Sequence, residues 1–268
     1  MPYLREGIAV KGIDVSQWQG TIDWAKVKAA GVEFALIRAG LRGYAPEGKL
    51  AEDARFRENA EGAIAAGIPV GVYFFSQATT PEEGREEARY CLELVRPYKL
   101  DFPVYIDSEY ANAQRTGRAD GLSQEARTAA VTAFCQEVEG AGYYAGIYAS
   151  DGWFDHQLGD VSRYDKWIAK WDGKPTAAHG IWQYSNAGRV DGIAAPVDLD
   201  EAFQDYPAII QAAGLNRPKG EAEALREQIA ALQEKLLATT AQLTQVQAEK
   251  EDILRRIRAL VEEYGETK

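Results

Sequence analysis

The sequence predicts a modified (β/α) barrel of eight strands with an incomplete ring of helices, followed by a long coiled-coil helix. Short apolar runs recur, and helix-like segments separate the early ones. Strands that are apolar on both faces and alternate with helices indicate a parallel sheet covered by helices, and eight of them favour a barrel. A heptad pattern without glycine or proline then occupies residues 221–264.

Eight strands are predicted, and helix signals lie between the early ones. The strands are GIAVKGIDVS, EFALIRAG, PVGVYFFS, FPVYIDSE, YYAGIYAS, KWIAKW, GIWQYS and IAAPVDLD. Thr80 before Pro81 is a candidate helix start, and Gly31, Gly67 and Gly142 are candidate helix stops. The connections to the last three strands are short, so we expect an irregular or antiparallel closing section.

Four acids stand at predicted strand ends. Asp14 ends strand one, Asp107 and Glu109 end strand four two positions apart, and Asp198 ends strand eight. The carboxyl ends of barrel strands meet at one mouth, where catalysis is normally found. Strands one and eight are neighbours in a closed barrel. We therefore expect Asp14 and Asp198 to lie together, across the mouth from strand four.

Four carboxylates around one mouth predict acid chemistry. They would repel one another if all were ionised, so at least one is expected to have a raised pKa. One protonated acid beside an ionised partner is what glycosidic bond cleavage requires. The alternative is that these acids cap loops or pair with Arg38 and Lys170.

Aromatic and amide side chains cluster at the same strand ends. Sugar rings stack on aromatic faces, while amides bond sugar hydroxyls. A single tryptophan is more often a core residue than a sugar platform, but the concentration favours binding. The candidate substrate-binding residues are Trp18, Gln19, Arg38, Tyr73, Phe75, Tyr148, Trp171, Trp182 and Gln183.

A family resemblance rests on motifs in order over residues 8–206. They are GIDVSQWQGTIDW, FALIRAG, GVYFFS, YIDSE, GIYAS, IWQYS and PVDLDEAF. This combination resembles the glycoside hydrolase family 25 lysozymes, which cleave peptidoglycan between N-acetylmuramic acid and N-acetylglucosamine. The resemblance implies a β/α barrel, no metal or other cofactor, and retention at the anomeric carbon. It also suggests a phage endolysin, although the tail lacks the usual wall-binding module.

The resemblance also implies roles for the acids. Glu109 is similar to the family's proton donor, and Asp107 to the partner that stabilises the charged intermediate. Asp14 and Asp198 are similar to supporting acids at the floor of the groove. A covalent intermediate needs roughly 5 to 5.5 Å between the two carboxyl groups. Same-face neighbours on a strand lie farther apart, which favours assistance by the substrate's acetamido group.

Two rival functions stay open on the sequence. One is a chitinase-like N-acetylhexosaminidase, and the other is a non-catalytic glycan-binding oligomer. A zinc hydrolase fits worse because His156 and His179 stand alone. A cysteine peptidase also fits worse, since Cys91 and Cys135 lie in helix-like runs.

The predicted domains are a catalytic barrel over 1–213, a linker over 214–220, a coiled coil over 221–264 and a tail over 265–268. The heptad a positions are Ile229, Leu236, Leu243, Lys250, Ile257 and Tyr264, and the d positions are Leu225, Leu232, Thr239, Val246, Ile253 and Leu260. This narrow stripe predicts self-association into a dimer, trimer or tetramer, with Lys250 restricting register or oligomeric state.

The net charge and the N-terminal residues indicate which partners and which location to expect. A net charge of −11 argues against nucleic acid or anionic lipid as the main partner. The first residues lack the pattern of a secretory signal. We therefore expect synthesis in a host cytoplasm and action on bacterial peptidoglycan, after release through a phage holin.

Overall fold

The computed structural model describes residues 9–216 and 221–265. Nine strands of the described chain form one sheet: β1 (Val10–Val15), β2 (Phe34–Arg42), β3 (Leu50–Glu52), β4 (Val70–Phe75), β5 (Val104–Asp107), β6 (Ala145–Ser150), β7 (Asp165–Ala169), β8 (Ile181–Gly188) and β9 (Val197–Ala202). The helices are α1 (Trp24–Ala29), α2 (Phe56–Ala65), α3 (Pro81–Val95), α4 (Gln124–Gly140), α5 (Asp151–His156), α6 (Tyr206–Ala213) and α7 (Glu221–Gly265).

Eight of these strands close into a barrel. The order is β1-β9-β8-β7-β6-β5-β4-β2, and pairing between β1 and β2 completes the circle. All eight predicted strands take part, so the predicted barrel is confirmed. The sequence did not predict β3, a three-residue strand that pairs antiparallel with the end of β2.

The strands run parallel except at the closure. The last barrel strand, β9, is antiparallel to both β1 and β8. A parallel strand needs a crossover of a dozen or more residues, and the eight-residue connection 189–196 is too short for one. The expected antiparallel closing section is confirmed. The helical ring is also incomplete, since α5 has only six residues and no helix separates β7, β8 and β9.

Local sequence signals explain where the outer helices begin and end. Thr80 precedes α3, and its side chain accepts a hydrogen bond from the backbone nitrogen of Glu83 at 3.2 Å. Gly31, Gly67 and Gly142 follow α1, α2 and α4 with φ values of 91°, 70° and 83°. Residues with a side chain rarely adopt this conformation, which is why glycine ends these helices. These predicted signals are confirmed.

The barrel has one core outside the sheet and another inside it. Between sheet and helices the buried side chains are mostly aliphatic, whereas the interior is filled by aromatic rings. Phe34 and Phe102 stack there with ring centroids 4.5 Å apart, next to Tyr206. All three lie at the amino end of the parallel strands. This end of the barrel is therefore filled, and the site lies at the other.

The barrel unit continues to the last described residue before α7. Asn216 is buried, donates to the backbone oxygen of Phe102 at 2.8 Å and accepts from the backbone nitrogen of Tyr144 at 2.8 Å. Residues 214–216, predicted as linker, therefore belong to the barrel. The rest of that linker, 217–220, and the tail beyond 265 lie outside the described residues.

The chain divides into two compact units between residues 218 and 219, and α7 belongs to the second. Among the described seam residues, Ile229, Leu236 and Leu243 expose 53%, 67% and 58% of their surface. The side chains of Leu225, Leu260 and Tyr264 lie outside the described residues. No described helix has both the length and the apolarity needed to cross a membrane.

Candidate active site

A cleft of about 520 Å³ opens at the carboxyl end of the parallel strands. It brings together all four predicted acids, which come from three strands and one strand end: Asp14, Asp107, Glu109 and Asp198. Eight of the predicted binding residues line it as well: Trp18, Gln19, Arg38, Tyr73, Phe75, Tyr148, Trp171 and Gln183. The convergence expected from strand ends is thus present in the fold.

Asp14 and Asp198 face each other across the closing pair of strands. They are direct register partners of β1 and β9. Asp198 does not end its strand as predicted, because β9 is antiparallel and enters the barrel at the mouth. It is the second residue of β9, and proximity to Asp14 follows from the reversed direction. Burial raises the pKa of Asp198 to about 6.

Asp14 is held in the floor of the cleft by an amide. It is 4% exposed, and the Gln183 Nε2 donates to its Oδ2 at 2.7 Å. Burial raises the pKa of Asp14 well above its ordinary range, and the charges of Asp200 and Asp198 act in the same direction. The Gln183 hydrogen bond opposes this effect, since it stabilises the ionised form.

Asp107 ends β5 as a buried carboxyl group. It is 4% exposed, and its Oδ1 receives no hydrogen bond from the described residues. Burial raises the pKa of Asp107 well above its usual range, and the charge of Glu109 adds to the effect. The guanidinium of Arg38 lowers it. An unpaired buried acceptor in a cleft is costly unless a ligand supplies the missing donor.

Glu109 lies two residues beyond Asp107 in the sequence. It is an exposed residue that lines the cleft. Its pKa is raised to about 7, first because the cleft walls displace water around the carboxyl group and second because Asp198 is charged. Arg38 again acts in the opposite direction. A carboxyl group with this pKa carries a proton for much of the time at neutral pH and can transfer it.

Arg38 lines the cleft but already has a partner. Its Nη2 and Nε each lie 2.7 Å from Oδ2 of Asp53, a buried carboxylate. Asp53 also accepts from the backbone nitrogens of Gln17 and Arg55. These bonds fix the guanidinium beside the acids, where it stabilises their ionised forms. Asp53 was not predicted, because nothing in its local sequence marks it as a partner of Arg38.

Exposed rings form the wall of the cleft. Trp18 is 72% exposed and Trp171 is 55% exposed, although both are large apolar side chains. Tyr44, which was not predicted, is 56% exposed and also lines the cleft. Exposed aromatic faces of this kind are suited to stacking on sugar rings.

Tyr73, Tyr148 and the amide of Gln183 lie buried beneath the exposed rings. Tyr148 donates its hydroxyl proton to Oε1 of Gln183 at 3.1 Å, and Trp171 Nε1 donates to the same oxygen at 3.3 Å. Tyr73 packs edge-on against Trp167 inside the barrel. Tyr73 and Tyr148 therefore shape the floor of the cleft.

Trp182 is the predicted binding residue that does not line this cleft. Successive side chains on a strand point to opposite faces, and its neighbour Gln183 points into the barrel. Trp182 consequently lies on the outer face, where its Nε1 donates to the backbone oxygen of Lys170 at 2.8 Å. It borders a separate cavity of about 810 Å³ near Phe203 and Gln204.

Sequence comparison places residues 13–193 in a family described as "Glycosyl hydrolases family 25". The chain is 32% identical over 211 residues to lysozyme M1 of Streptomyces globisporus, covering 72% of this chain and 67% of that protein. It is 30% identical over 196 residues to the autolytic lysozyme of Clostridium acetobutylicum, covering 72% of this chain and 55% of that protein.

Solved structures of other proteins share this fold. The bacterial lysozyme from Streptomyces coelicolor superposes with a TM-score of 0.60 at 28% identity, covering 74% of this chain and 93% of that one. The autolysin LytC from Streptococcus pneumoniae shares the fold with a TM-score of 0.64 at 24% identity, covering 72% of this chain and 46% of that one. The chain thus spans about half the length of the clostridial and pneumococcal proteins.

The barrel with its acid-lined, aromatic-walled cleft is the architecture of a glycoside hydrolase. The match over residues 13–193 and the identity to lysozymes make the assignment specific. The chain belongs to the family 25 glycosyl hydrolases.

Proposed function

We propose that this protein hydrolyses the β-1,4 bond between N-acetylmuramic acid and N-acetylglucosamine in bacterial peptidoglycan, with net retention at the anomeric carbon. The observation that carries this proposal is the convergence of Asp107 and Glu109 with Asp14 and Asp198 in a single cleft. Lysozymes among its relatives support peptidoglycan as the substrate.

Product analysis tests the bond. Purified peptidoglycan is digested, the new reducing ends are reduced with borohydride, and the fragments are identified by mass spectrometry. Reduced muramic acid ends are expected. Reduced glucosamine ends would show that the other glycosidic bond of the polymer is cleaved, and would favour an N-acetylglucosaminidase. If the protein bound the polymer but produced no new reducing ends, the proposed function would be glycan binding and not hydrolysis.

Glu109 is the proposed general acid and base. It is accessible from the cleft, and its pKa of about 7 leaves it a proton to donate to the leaving oxygen. After departure of the leaving group, the resulting carboxylate accepts a proton from the attacking water. One residue serves both steps because the second is the reverse of the first in acid–base terms.

Asp107 is the proposed partner that stabilises the positive charge of the intermediate. Its Oδ1 receives no hydrogen bond from the described residues, so this oxygen can accept one from the N–H of the substrate's acetamido group. That bond would orient the acetamido oxygen towards the anomeric carbon. Retention through the acetamido group needs no bond between Asp107 and the sugar.

Activity is expected to fall on the alkaline side of neutrality. Glu109 must be protonated to donate, so above its pKa of about 7 the rate should drop about tenfold per pH unit. An acid limb should also appear above the ordinary carboxylate range, because the pKa of Asp107 is raised. Initial rates from pH 4 to 9 on purified peptidoglycan measure both limbs. If the rate did not fall between pH 7 and pH 9, this role for Glu109 would be contradicted.

We also propose that α7 associates with a second copy of the same helix. Its exposed seam repeats every seven residues, and Lys250 at an a position lies next to Glu249 at g. In a parallel, in-register pair, each Lys250 can contact Glu249 of the other copy, which offsets the cost of a charge in the seam. Two catalytic units on one polymer would raise effective affinity.

Neighbouring leucines on α7 provide a matched test of association. Leu236 lies in the seam, while Leu237 is beside it and is 74% exposed. Leu236→Asp is expected to dissociate the full-length protein and slow lysis of intact walls, whereas Leu237→Asp should do neither. Mass from light scattering after gel filtration measures the state. A wild-type monomer, or equal effects of the two variants, would contradict association through this seam.

A further inference from the structure

One buried acid, Asp200, lies beneath the cleft without a role in the proposed reaction. It is 0% exposed and lies two residues after Asp198 on β9, so both side chains point into the barrel. Its register partners are Gly12 on β1 and Gln183 on β8. Asp200 therefore occupies the layer directly below the carboxylates of the cleft.

The neighbours of Asp200 supply one hydrogen bond, not two. Trp167 Nε1 donates to its Oδ1 at 2.8 Å, whereas its Oδ2 has no conventional donor. The hydrogen bonds that Gln183 makes go to other residues, since its Nε2 donates to Asp14 and its Oε1 accepts from Tyr148 and Trp171. No side chain projects from Gly12, where a Cβ would come within 2.3 Å of the Phe34 ring.

A further polar group beside Asp200 is the carboxyl group of Asp14. Asp14 lies two positions along β1 from Gly12 and on the same inward face, so the carboxyl groups of Asp14 and Asp200 are diagonal neighbours across β1 and β9. Two carboxylates cannot share a hydrogen bond unless one of them carries a proton. Asp200 is the deeper of the two, and its Oδ2 has no other partner. The proton is therefore better placed on Asp200, while Asp14 keeps the Gln183 bond that stabilises an ionised carboxylate.

We propose that Asp200 is a protonated positioning residue, whose carboxylic acid donates a hydrogen bond to Asp14 and fixes that carboxylate below the catalytic pair. This inference rests on the proposed glycosidase function. A neutral Asp200 also leaves one negative charge fewer under the cleft, where Asp14, Asp107, Glu109 and Asp198 already repel one another. Arg38 supplies the cationic side chain in this part of the cleft.

The titratable and charged groups around this layer come from most of the barrel. They are Asp14 on β1, Arg38 on β2, Tyr73 on β4, Asp107 on β5, Tyr148 on β6 and Asp198 on β9. Strands β7 and β8 contribute the neutral Trp167 and Gln183, and the titratable Tyr184 of β8 also lies within electrostatic range of Asp200. Burial raises the pKa of Asp200 well above its usual range, and the charge of Asp198 adds to this.

The variant Asp200→Asn tests whether residue 200 acts as a neutral hydrogen-bond donor or as an ionised carboxylate. An amide in place of Asp200 can accept from Trp167 and donate to Asp14, so Asp200→Asn should retain wild-type activity within about threefold. Asp200→Ala removes the donor and should lower the rate by about 100-fold, the scale of a misplaced catalytic group. Equal loss in both variants, with an active wild type, would overturn the proposal. An inactive wild type would instead refute the hydrolase function.

Thermal stability gives a readout that does not depend on activity. Asp200 has a raised pKa in the folded state and an ordinary one when unfolded, so rising pH favours unfolding of the wild type. The Tm of Asp200→Asn minus that of the wild type should therefore grow as pH rises from 4 to 7. The exposed Asp191→Asn is the matched control and should show no such trend. A flat difference for Asp200→Asn would show an ionised Asp200 and overturn the proposal.

Discussion

Glu109→Gln is expected to lower the release of reducing ends from peptidoglycan by about 10²–10⁴-fold, the range that one general acid contributes. Glutamine preserves the shape of the side chain but has no proton to give to the leaving oxygen. Initial rates at pH 6, where wild-type Glu109 is mostly protonated, give the largest difference. The same digest analysed by mass spectrometry should show new muramic acid ends with the wild type alone.

Unfolding does not explain that loss. The folded-state pKa of Glu109 is raised, so its ionisation destabilises the fold as pH rises towards 7, and removing it should leave Tm unchanged or higher. Glu93→Gln makes the same chemical change on an exposed site of α3 and should retain full activity. If Glu109→Gln kept more than a tenth of the wild-type rate, another residue would have to be the acid.

Asp107→Asn is expected to lower the rate by about 10²–10³-fold, as for loss of one preorganised electrostatic contact in a transition state. The change removes the negative charge that the positively charged intermediate requires, without changing the size of the side chain. Asp101→Asn is a suitable control, because Asp101 precedes the same strand and pairs with Lys99 at 2.7 Å on the surface. That variant should behave as the wild type. A fully active Asp107→Asn would exclude the proposed stabilising role.

The two routes to retention predict different observations at Asp107. If the acetamido group assists, a thiazoline analogue of the cyclised intermediate should inhibit the enzyme, and no sugar should become attached to the protein. If Asp107 is the nucleophile, intact-protein mass spectrometry of Glu109→Gln should detect an added glycan when the substrate carries a good leaving group, which departs without a proton from the enzyme. Detection of that adduct would overturn the acetamido route.

Most of the barrel could be predicted because its signals are local. The eight apolar runs, the Thr80 cap and the glycine stops depend on short-range chemistry, and all of them form as expected. The convergence of Asp14, Asp107 and Glu109 also follows from topology, since parallel strands in a barrel end at one mouth. Within β5 and its extension, alternation alone predicts that Asp107 and Glu109 share a face.

Long-range pairing decided the features that the sequence left open. The direction of β9 places Asp198 opposite Asp14 at the start of a strand, and it buries Asp200 one layer below. The Arg38–Asp53 pair likewise joins residues from different elements.

Trp182 shows that residue type alone does not predict on which face of a strand a side chain lies. Its neighbour Gln183 points inwards, so Trp182 must point outwards, but only the barrel shows which of the two faces the cleft. Sequence therefore determined the elements, their order and the acids at their ends. Tertiary structure decided strand direction, burial and partners, because these depend on contacts between residues far apart in the chain.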